Sequence, residues 1–233
     1  MFTENIMMAA RMVIALLLIL CCGNMEATLD YRRRDQVNKL LQTRGLNLFH
    51  QNICGLFNNL CGVQELLSTH SNIDILTLSE THLRASDKYT TLYEIPGFNF
   101  ESRDRQTGKG GGVAVYINTN LDYRRRTDLE VNKLENIVVE IFINKSKSIL
   151  ISCHYRPPSS SKYLSSNHNE IFENSLSSYC SENKETIILG EMNVDYLKQN
   201  DNNEFKMLLT FTVWINASRK KANSSNKRFF HIN

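Results

Sequence analysis

The chain has 233 residues, of which 42% are hydrophobic and 22% are charged. This length and composition exclude a disordered or fibrous protein and predict one domain with a full hydrophobic core. The formal net charge of +3 is too small to identify a polyanionic partner. Positive charge is concentrated in two runs, residues 31–34 and 123–126, and such runs are more often solvated turns than binding surfaces.

The amino end carries an apolar run, Met12–Cys22, directly after Arg11. Its length is that of a secretory signal and is short for a membrane span, which needs about 20 residues. A working signal peptide within residues 1–23 and a core or interfacial helix are both open interpretations. We expect a separate helix or signal-like segment outside the main fold, and no membrane contact except through this segment.

Short apolar runs alternate with polar turns from Gly45 onward. Six runs have the length of strands, and most are rich in β-branched residues: 46–50, 73–78, 112–117, 137–143, 148–153 and 186–189. Two segments, 56–69 and 169–181, have the pattern of helices. Many strands with few helices predict a layered α/β domain. The predicted divisions are a leader and basic linker at 1–44, the domain at 45–215 and a polar, basic tail at 216–233.

Neither the cysteines nor the glycine-rich run predicts a cofactor site. The six cysteines show no CxxC motif and no zinc-type spacing with histidines: Cys21, Cys22, Cys54, Cys61, Cys153 and Cys180. Reduced thiols in an intracellular protein, nuclear or cytoplasmic, are the simplest interpretation. The glycine run at 108–112 precedes a strand rather than a helix, so it predicts a turn and not a phosphate-binding loop.

Polar residues recur where the apolar runs end. They are Asn52, Glu80, Tyr155, Arg156, Glu191 and Asn193. Alternate residues of a strand point to the same side, so Glu191 and Asn193 would face the same way if the extended geometry continues past Gly190. The repeated placement predicts that the polar side chains converge on one rim of the fold. The residues expected to line one cleft there are Asn52, Glu80, Tyr155, Glu191 and Asn193.

Five segments, taken in order, carry a family resemblance: HQNICGL, LTLSETHL, GGGVAVYI, YRPPSSS and ILGEMNVD. They resemble motifs of the endonuclease/exonuclease/phosphatase superfamily, and more closely those of the apurinic-type endonuclease domain encoded by non-LTR retrotransposons. The resemblance covers about Gly45 to Leu209. It implies an α/β (α+β) fold of four layers, in which two packed β-sheets form a sandwich flanked by helices, here incomplete at the carboxyl end.

The resemblance also implies a site for Mg²⁺ or Mn²⁺. Glu80 matches the metal-ligand glutamate and has Asn52 nearby, and hard divalent cations prefer oxygen ligands of this kind. Tyr155 matches the tyrosine that contacts the scissile phosphate. Glu191 and Asn193 match the motif Gly-Asp-x-Asn, in which the carboxylate positions or deprotonates the attacking water and the amide orients the phosphate.

The implied reaction is hydrolysis of a DNA phosphodiester, which leaves a nick whose 3′-hydroxyl primes reverse transcription. Arg156 and Asn193 are the expected contacts with phosphate or nucleic acid. DNA is the implied partner, and no stable protein partner is implied.

Several positions depart from the family pattern. Glu191 stands where the family has aspartate, and the extra methylene moves the carboxylate by roughly an ångström, a displacement that can lower the rate about a hundredfold. The segment NKRFFHIN resembles the family's Ile-Asp-His segment, with Phe230 in place of aspartate, and the closing Ser-Asp-His motif has no match. At the amino end, LLLILCCGNMEATLD resembles a decayed ribosome-skipping peptide, which is a third interpretation of the leader.

The sequence therefore predicts a truncated, divalent-metal-dependent DNA endonuclease domain that is impaired or inactive. Nicking of DNA with Mg²⁺ is expected at or near background, and Glu191→Asp alone is expected to leave it there, because residues that act as a unit do not fail additively. An alternative is a catalytically dead module that binds nucleic acid through Tyr155, Arg156, Asn193 and the arginine runs. A third hypothesis is a phosphatase that acts on small phosphoesters.

Overall fold

The apolar runs form the strands of two mixed sheets, one in each of two units of the chain. The computed structural model describes residues 45–84, 90–105 and 110–193, and the backbone alone of residues 13–16. Contacts between Cα atoms divide the chain after Leu121 into a first unit, residues 1–121, and a second unit, residues 122–233.

The sheet of the first unit has five strands in the order β1-β2-β3-β5-β4. The strands are β1 (Val13–Leu16), β2 (Asn47–Asn52), β3 (Ile75–Ser79), β4 (Phe98–Arg103) and β5 (Val113–Asn118). Strand β2 pairs in parallel with both β1 and β3, whereas β5 pairs antiparallel with β3 and β4. Helix α1 (Leu56–Thr69) connects β2 to β3, and a short 3₁₀ helix (Thr90–Tyr93) precedes β4.

Helix α1 packs on the sheet through one apolar face. Its buried residues recur every three or four positions: Leu56, Leu60, Val63, Leu66 and Leu67. They share one hydrophobic cluster with Phe49, Leu76, Leu78 and Tyr116 of the sheet. Helix α1 starts after the carboxyl end of β2 and leads back to the amino end of β3, so the carboxyl ends of these two parallel strands lie at one edge of the sheet.

The sheet of the second unit has four strands in the order β6-β7-β8-β9. The strands are β6 (Tyr123–Arg125), β7 (Glu135–Asn144), β8 (Lys147–Tyr155) and β9 (Glu185–Glu191). Only β8 and β9 pair in parallel in this described sheet, and helix α2 (His168–Ser181) is the crossover between them. A 3₁₀ helix, Thr127–Leu129, follows β6.

Helix α2 lies over a core that is partly polar. Tyr179 is fully buried and packs with Val138, Leu150 and Ile188. Its hydroxyl accepts a hydrogen bond from Asn136 Nδ2 at 3.0 Å and lies 3.2 Å from His154 Nε2. Buried polar atoms are stable only when they find partners, so this network specifies where α2 sits on its sheet.

The predicted fold class is confirmed as α/β, with two mixed sheets and flanking helices. All six predicted strands and both predicted helices are present, with ends shifted by a few residues. The interpretation of residues 123–126 as a solvated turn is wrong for Tyr123–Arg125, which form β6 and pair with β7. Gly110–Gly112 have positive φ angles in the connection before β5, as a turn requires.

The amino-terminal apolar run differs in part from its prediction. Val13–Leu16 do not form a separate helix; they form β1 and pair with residues 47–50 of β2. Two of the four residues are β-branched, and pairing with β2 satisfies backbone groups that an exposed strand edge would leave open. The rest of Met12–Cys22, the tail at 216–233 and Phe230 lie outside the described residues. None of the helices in the described part of the chain combines the length and the apolar character needed to span a bilayer.

Candidate active site

The candidate residues lie at the carboxyl ends of two parallel strand pairs, one pair in each sheet. In the first sheet Asn52 is opposite Ser79, so Asn52 and the next residue, Glu80, share one edge. In the second sheet Tyr155 is opposite Glu191, and Arg156 N–H donates to the Glu191 carbonyl at 2.8 Å. Within each sheet the structure therefore places these polar residues at the carboxyl ends of neighbouring strands. The single cleft remains a prediction.

The first set, called the Glu80 group, consists of Asn52, Cys54, Glu80 and His82. Glu80 is the centre of the group, because Cys54 Sγ lies 3.5 Å from its Oε2 and His82 Nε2 lies 3.8 Å from the same oxygen. Asn52 Oδ1 accepts a hydrogen bond from the Cys54 N–H at 3.1 Å. The Glu80 side chain is only 18% exposed, and that of His82 is 39% exposed. The group thus gathers oxygen, sulfur and nitrogen donors around one partly buried carboxylate.

The backbone of the Glu80 group is held in a conformation that side chains rarely adopt. Cys54, Glu80 and His82 have φ angles of 48°, 54° and 57°. Left-handed conformations of residues other than glycine are uncommon and cluster at functional sites. Main-chain hydrogen bonds hold them, including Gly55 N–H to the Glu80 carbonyl and His82 N–H to the Gly111 carbonyl, both at 2.8 Å.

The second set, called the Glu191 group, consists of Tyr155, Arg156, Glu191 and Asn193. Gly190 precedes it with φ 147°, and a Cβ at that position would lie 1.9 Å from the His154 carbonyl oxygen. Glycine is required there because β9 passes too close to β8 for any side chain. This close approach sets the position of Glu191 at the end of the sheet.

Arg156 and Asn193 form a reciprocal clamp. Arg156 Nη1 donates to the carbonyls of Met192 and Asn193 at 3.2 Å and 3.3 Å, and Asn193 Nδ2 donates to the Arg156 carbonyl at 3.0 Å. Asn193 has φ 48°, so the extended geometry ends at Glu191 and alternation does not place Glu191 and Asn193 on one face. The condition of that inference, extended geometry as far as Asn193, is therefore not met, and the clamp holds Asn193 in a left-handed conformation.

Arg156 is 7% exposed, which differs from the open position expected of a phosphate contact. Burial lowers the pKa of its guanidinium. His168, at the start of α2, is also buried, and its pKa is lowered to about 4 by burial and by the positive charge of Arg156. Neutral His168 and charged Arg156 therefore coexist beside the turn that carries Asn193. Tyr155 is likewise only 5% exposed.

The arginine run at 124–126 is neutralised within its own unit. Arg124 Nη2 lies 2.7 Å from Glu140 Oε2, and Arg125 Nε lies 2.9 Å from Glu130 Oε1. Arg126 pairs with three carboxylates, those of Asp128, Glu140 and Glu182. These arginines stabilise the fold, which weakens the hypothesis that the run binds nucleic acid.

Sequence reasoning missed Cys54 and His82 as members of the candidate site. Both sit two residues beyond a predicted residue, Asn52 and Glu80, and this spacing was the available signal. The donor atoms around Glu80 fit a divalent cation in their chemistry, since carboxylate, imidazole and thiolate are all metal ligands. Within the described ranges, no three His, Cys, Asp or Glu side chains already form a complete metal-binding group.

Comparison with solved structures shows the fold. The endonuclease domain of TRAS1, a telomere-specific non-LTR retrotransposon, has a TM-score of 0.50 and 15% identity, over 69% of this chain and 68% of that chain. The APE2 catalytic domain of Xenopus laevis has a TM-score of 0.49 and 16% identity, over 68% and 62%. The AP endonuclease LMAP of Leishmania major has a TM-score of 0.47 and 17% identity, over 61% and 54%.

The chain spans about half to two thirds of the length of these structures. The likeness to the TRAS1 domain supports the predicted fold class, α/β with two mixed sheets and flanking helices. No curated protein matches the chain. A model of the Endonuclease/Exonuclease/phosphatase family matches residues 47–200, a range that contains both the Glu80 group and the Glu191 group. The resemblance found in the sequence motifs is confirmed, and the chain belongs to the endonuclease/exonuclease/phosphatase family.

Proposed function

We propose that the chain is a divalent-metal-dependent endonuclease domain of the non-LTR retrotransposon type, which hydrolyses phosphodiester bonds in DNA. Family membership supports hydrolysis of phosphodiesters. The names of similar structures, an AP endonuclease and a retrotransposon endonuclease domain, support DNA as the substrate. The observation that carries the proposal is the pair of polar groups at the carboxyl ends of parallel strands, with backbone held left-handed at Glu80 and Asn193.

In the proposed reaction each group has its own role in the hydrolysis of a phosphodiester. Glu80, with Asn52 beside it, would hold the cation, and a bound cation would supply neutralisation of phosphate charge. Glu191 orients the attacking water and accepts its proton. The water oxygen bonds to phosphorus, the bond from phosphorus to the 3′ oxygen breaks, and the 3′ oxygen leaves as an alkoxide that takes a proton from solvent to become the 3′-hydroxyl.

Asn193 and Tyr155 orient the phosphate in this proposal. One of the two N–H donors of the Asn193 amide is used by the Arg156 carbonyl, so the clamp fixes the amide plane while the second N–H points elsewhere. Fixed donors of this kind stabilise developing charge without reorganisation. Arg156 then acts through Asn193 as a positioning residue.

We further propose that the activity is weak. Glu191 replaces the family's aspartate, and its longer side chain displaces the carboxylate at the end of a strand whose own position is fixed by Gly190. Phe230 replaces a second aspartate of the family pattern. A slow enzyme is the expected result.

The test is a nicking assay on supercoiled plasmid with enzyme in excess, in Mg²⁺, in Mn²⁺ and in EDTA. We expect slow nicking, close to background, that requires the metal and disappears in Glu80→Ala and in Asn193→Ala. Glu65→Ala, an exposed glutamate of α1, is the matched control and should nick like the unmodified chain.

Metal-dependent nicking that persists in Glu80→Ala would contradict the proposed site. Absence of any metal-dependent cleavage, together with DNA binding that weakens steeply with salt, would support the binding module instead. Efficient nicking lost in Glu80→Ala would contradict only the proposed weakness.

A further inference from the structure

An exposed aromatic side chain lies in the first turn of helix α1, close in the chain to the Glu80 group. Phe57 is 67% exposed, more than any other large hydrophobic residue in the described part of the chain. Helix α1 packs on its sheet through the opposite face, and Phe57 shares the exposed face with polar residues such as Asn58 and Gln64. Single exposed apolar residues are common on protein surfaces, so exposure alone indicates no function and the position of the ring decides.

The first turn of α1 is tied to the segment that carries Glu80. Gly55 N–H donates to the Glu80 carbonyl at 2.8 Å. Leu56 N–H donates to the Thr81 carbonyl, also at 2.8 Å. Bond lengths then limit the distance between the Cα atoms of Phe57 and Glu80 to about 14 Å. Successive phosphates of one DNA strand are about 3.4 Å apart along the helix axis, so the Phe57 ring is within reach of the nucleotides that flank a phosphate held at Glu80.

An imidazole and a guanidinium lie beside the start of α1 within the first unit. A Cβ placed at Gly55 would lie 3.4 Å from His82 Nδ1. A Cβ placed at Gly110 would lie 3.7 Å from His82 Nε2 and 4.0 Å from Arg105 Nη1. Proteins that bind single-stranded nucleic acid combine positive charge for the phosphates with aromatic rings on which bases stack. Arg105 and Phe57 supply these two elements next to the Glu80 group.

Stacking on a phenyl ring requires a base whose face is exposed. One stack between a base and an aromatic side chain strengthens binding on the order of tenfold to a hundredfold. Extraction of a paired base from duplex DNA costs about as much as one such stack returns. The gain in affinity is therefore realised in full only with a base that is already unpaired.

We propose that Phe57 stacks on an unpaired nucleobase next to the phosphate held at the Glu80 group, so that the chain prefers DNA with unpaired bases at the cleavage position to fully paired duplex. The inference rests on the proposed function, since that function places a DNA phosphate at Glu80. Asn59 Nδ2 donates to the Ile53 and Gly55 carbonyls at 2.9 Å and 3.0 Å. These hydrogen bonds fix the backbone that carries Phe57, so little freedom is lost when a base binds.

The experiment measures binding of the full chain to three labelled DNA duplexes by fluorescence anisotropy in EDTA, which prevents metal-dependent cleavage. One duplex is fully paired, the second carries unpaired thymines, and the third carries abasic sites in place of those thymines. We expect the unmodified chain to bind the second duplex at least about tenfold more tightly than the other two, because only the second offers an unpaired base. This preference should disappear in Phe57→Ala and persist in Phe57→Trp.

Phe142→Ala is the matched control, because Phe142 is also an exposed phenylalanine, 40% exposed, and belongs to β7 of the second unit. It should keep the preference for unpaired thymines. Circular dichroism establishes that Phe57→Ala is folded, and sedimentation gives the oligomeric state of each variant.

A preference that persists in folded Phe57→Ala, or equal binding of the thymine duplex and either other duplex by the unmodified chain, would overturn the inference. A dimer that Phe57→Ala converts to monomers would overturn it too, since a second copy of the chain would then cover the ring. Nicking is scored separately. Metal-dependent nicking without a Phe57-dependent preference would leave the proposed function standing, whereas the preference without metal-dependent nicking would contradict the endonuclease proposal and not the stacking.

Discussion

Gly190 shows how one residue determines the geometry of a candidate site. Its φ of 147° and a distance of 1.9 Å from a hypothetical Cβ to the His154 carbonyl leave no room for a side chain. The resemblance marks this glycine as part of a motif, but the physical reason, a backbone contact between β8 and β9, needs the structure. The site of Glu191 depends on that contact.

Gly190→Ala should destabilise the protein strongly, because the new methyl group can be accommodated only if β8 and β9 separate. We expect a loss of more than about 3 kcal/mol in the free energy of unfolding, beyond ordinary overpacking. Gly97→Ala is the matched control, since Gly97 also has positive φ, 86°, but has nothing within 4 Å of the added Cβ. That control should cost only about 1 kcal/mol. Urea unfolding measures both, and equal losses would contradict the steric explanation.

At the scale of elements, apolar runs in the sequence predicted the central strands, whereas β4 and β6 are too polar to be recognised from such runs. All six residues of β4 are partly exposed and they include Glu101 and Arg103, and β6 is a tyrosine followed by two arginines, so neither strand has an apolar run. The Glu80 group was predicted only in part, because the contact of Cys54 with Glu80 joins two strand ends that sequence spacing does not relate. The turn at Asn193 depends on hydrogen bonds from Arg156, which no local pattern reveals.

The clamp between the ends of β8 and β9 predicts a positioning role for Arg156. Arg156→Lys keeps the charge but cannot donate to two carbonyls from one planar group, so nicking should fall to the level of Arg156→Met. Both variants should leave the salt dependence of DNA binding nearly unchanged, because a buried guanidinium holds no phosphate. A drop of about 0.9 in the slope of log K against log salt in Arg156→Met would instead indicate a direct phosphate contact.

The second sheet is tied together by one buried carboxylate. Glu140 on β7, 2% exposed, pairs with Arg124 and Arg126 near β6 and with Lys184 before β9, and accepts from Ser148 Oγ at 2.6 Å. Burial alone would raise the pKa of Glu140, but hydrogen bonds from Lys184, Ser148 and Arg124 outweigh it and lower the pKa to about 2. Removing this charge would leave three cations without their common partner.

Glu140→Gln should therefore lower the free energy of unfolding at pH 7 by about 3 kcal/mol, as expected when one partner of a buried ion pair is lost. Glu185→Gln is the control, because Glu185 forms a partly exposed pair with Lys147 at 3.3 Å that should contribute less than about 1 kcal/mol. Thermal unfolding of both variants measures the difference. Similar small losses of unfolding free energy in both variants would show that the other charges of the network compensate for the missing Glu140 carboxylate.

At the scale of the whole molecule, buried groups in both units contribute to the response to acid; in the first unit, burial lowers the pKa of the His50 imidazole from 6.5 to about 4. The carboxyl of Glu140 has a folded-state pKa below its ordinary value of 4.5, so its stabilising contribution is present above pH 4.5 and is lost as pH falls toward 2. The imidazole of His168 has a folded-state pKa of about 4, below its ordinary value of 6.5. Unfolded chains therefore take up a proton at His168 before folded chains do. As pH falls, stability is lost first because His168 is protonated in unfolded chains, and then, below about pH 4.5, because Glu140 is protonated.

His168→Gln should reduce the pH dependence of unfolding between about pH 6.5 and pH 4 by the share of one histidine, while buried His50 keeps its own share. In the unmodified chain, stability falls as pH falls through this window because only the unfolded state binds these protons, and the contribution of each histidine amounts to at most about 3 kcal/mol at pH 4. Ile188→Val is the control, because buried Ile188 packs in the cluster of Tyr179, Val138 and Leu150, so the variant loses packing but no titratable group. It should lower stability equally at every pH. Urea unfolding at half-unit pH intervals gives the three curves, and a His168→Gln curve parallel to that of the unmodified chain would show that other groups, and not this histidine, cause the loss of stability above pH 4.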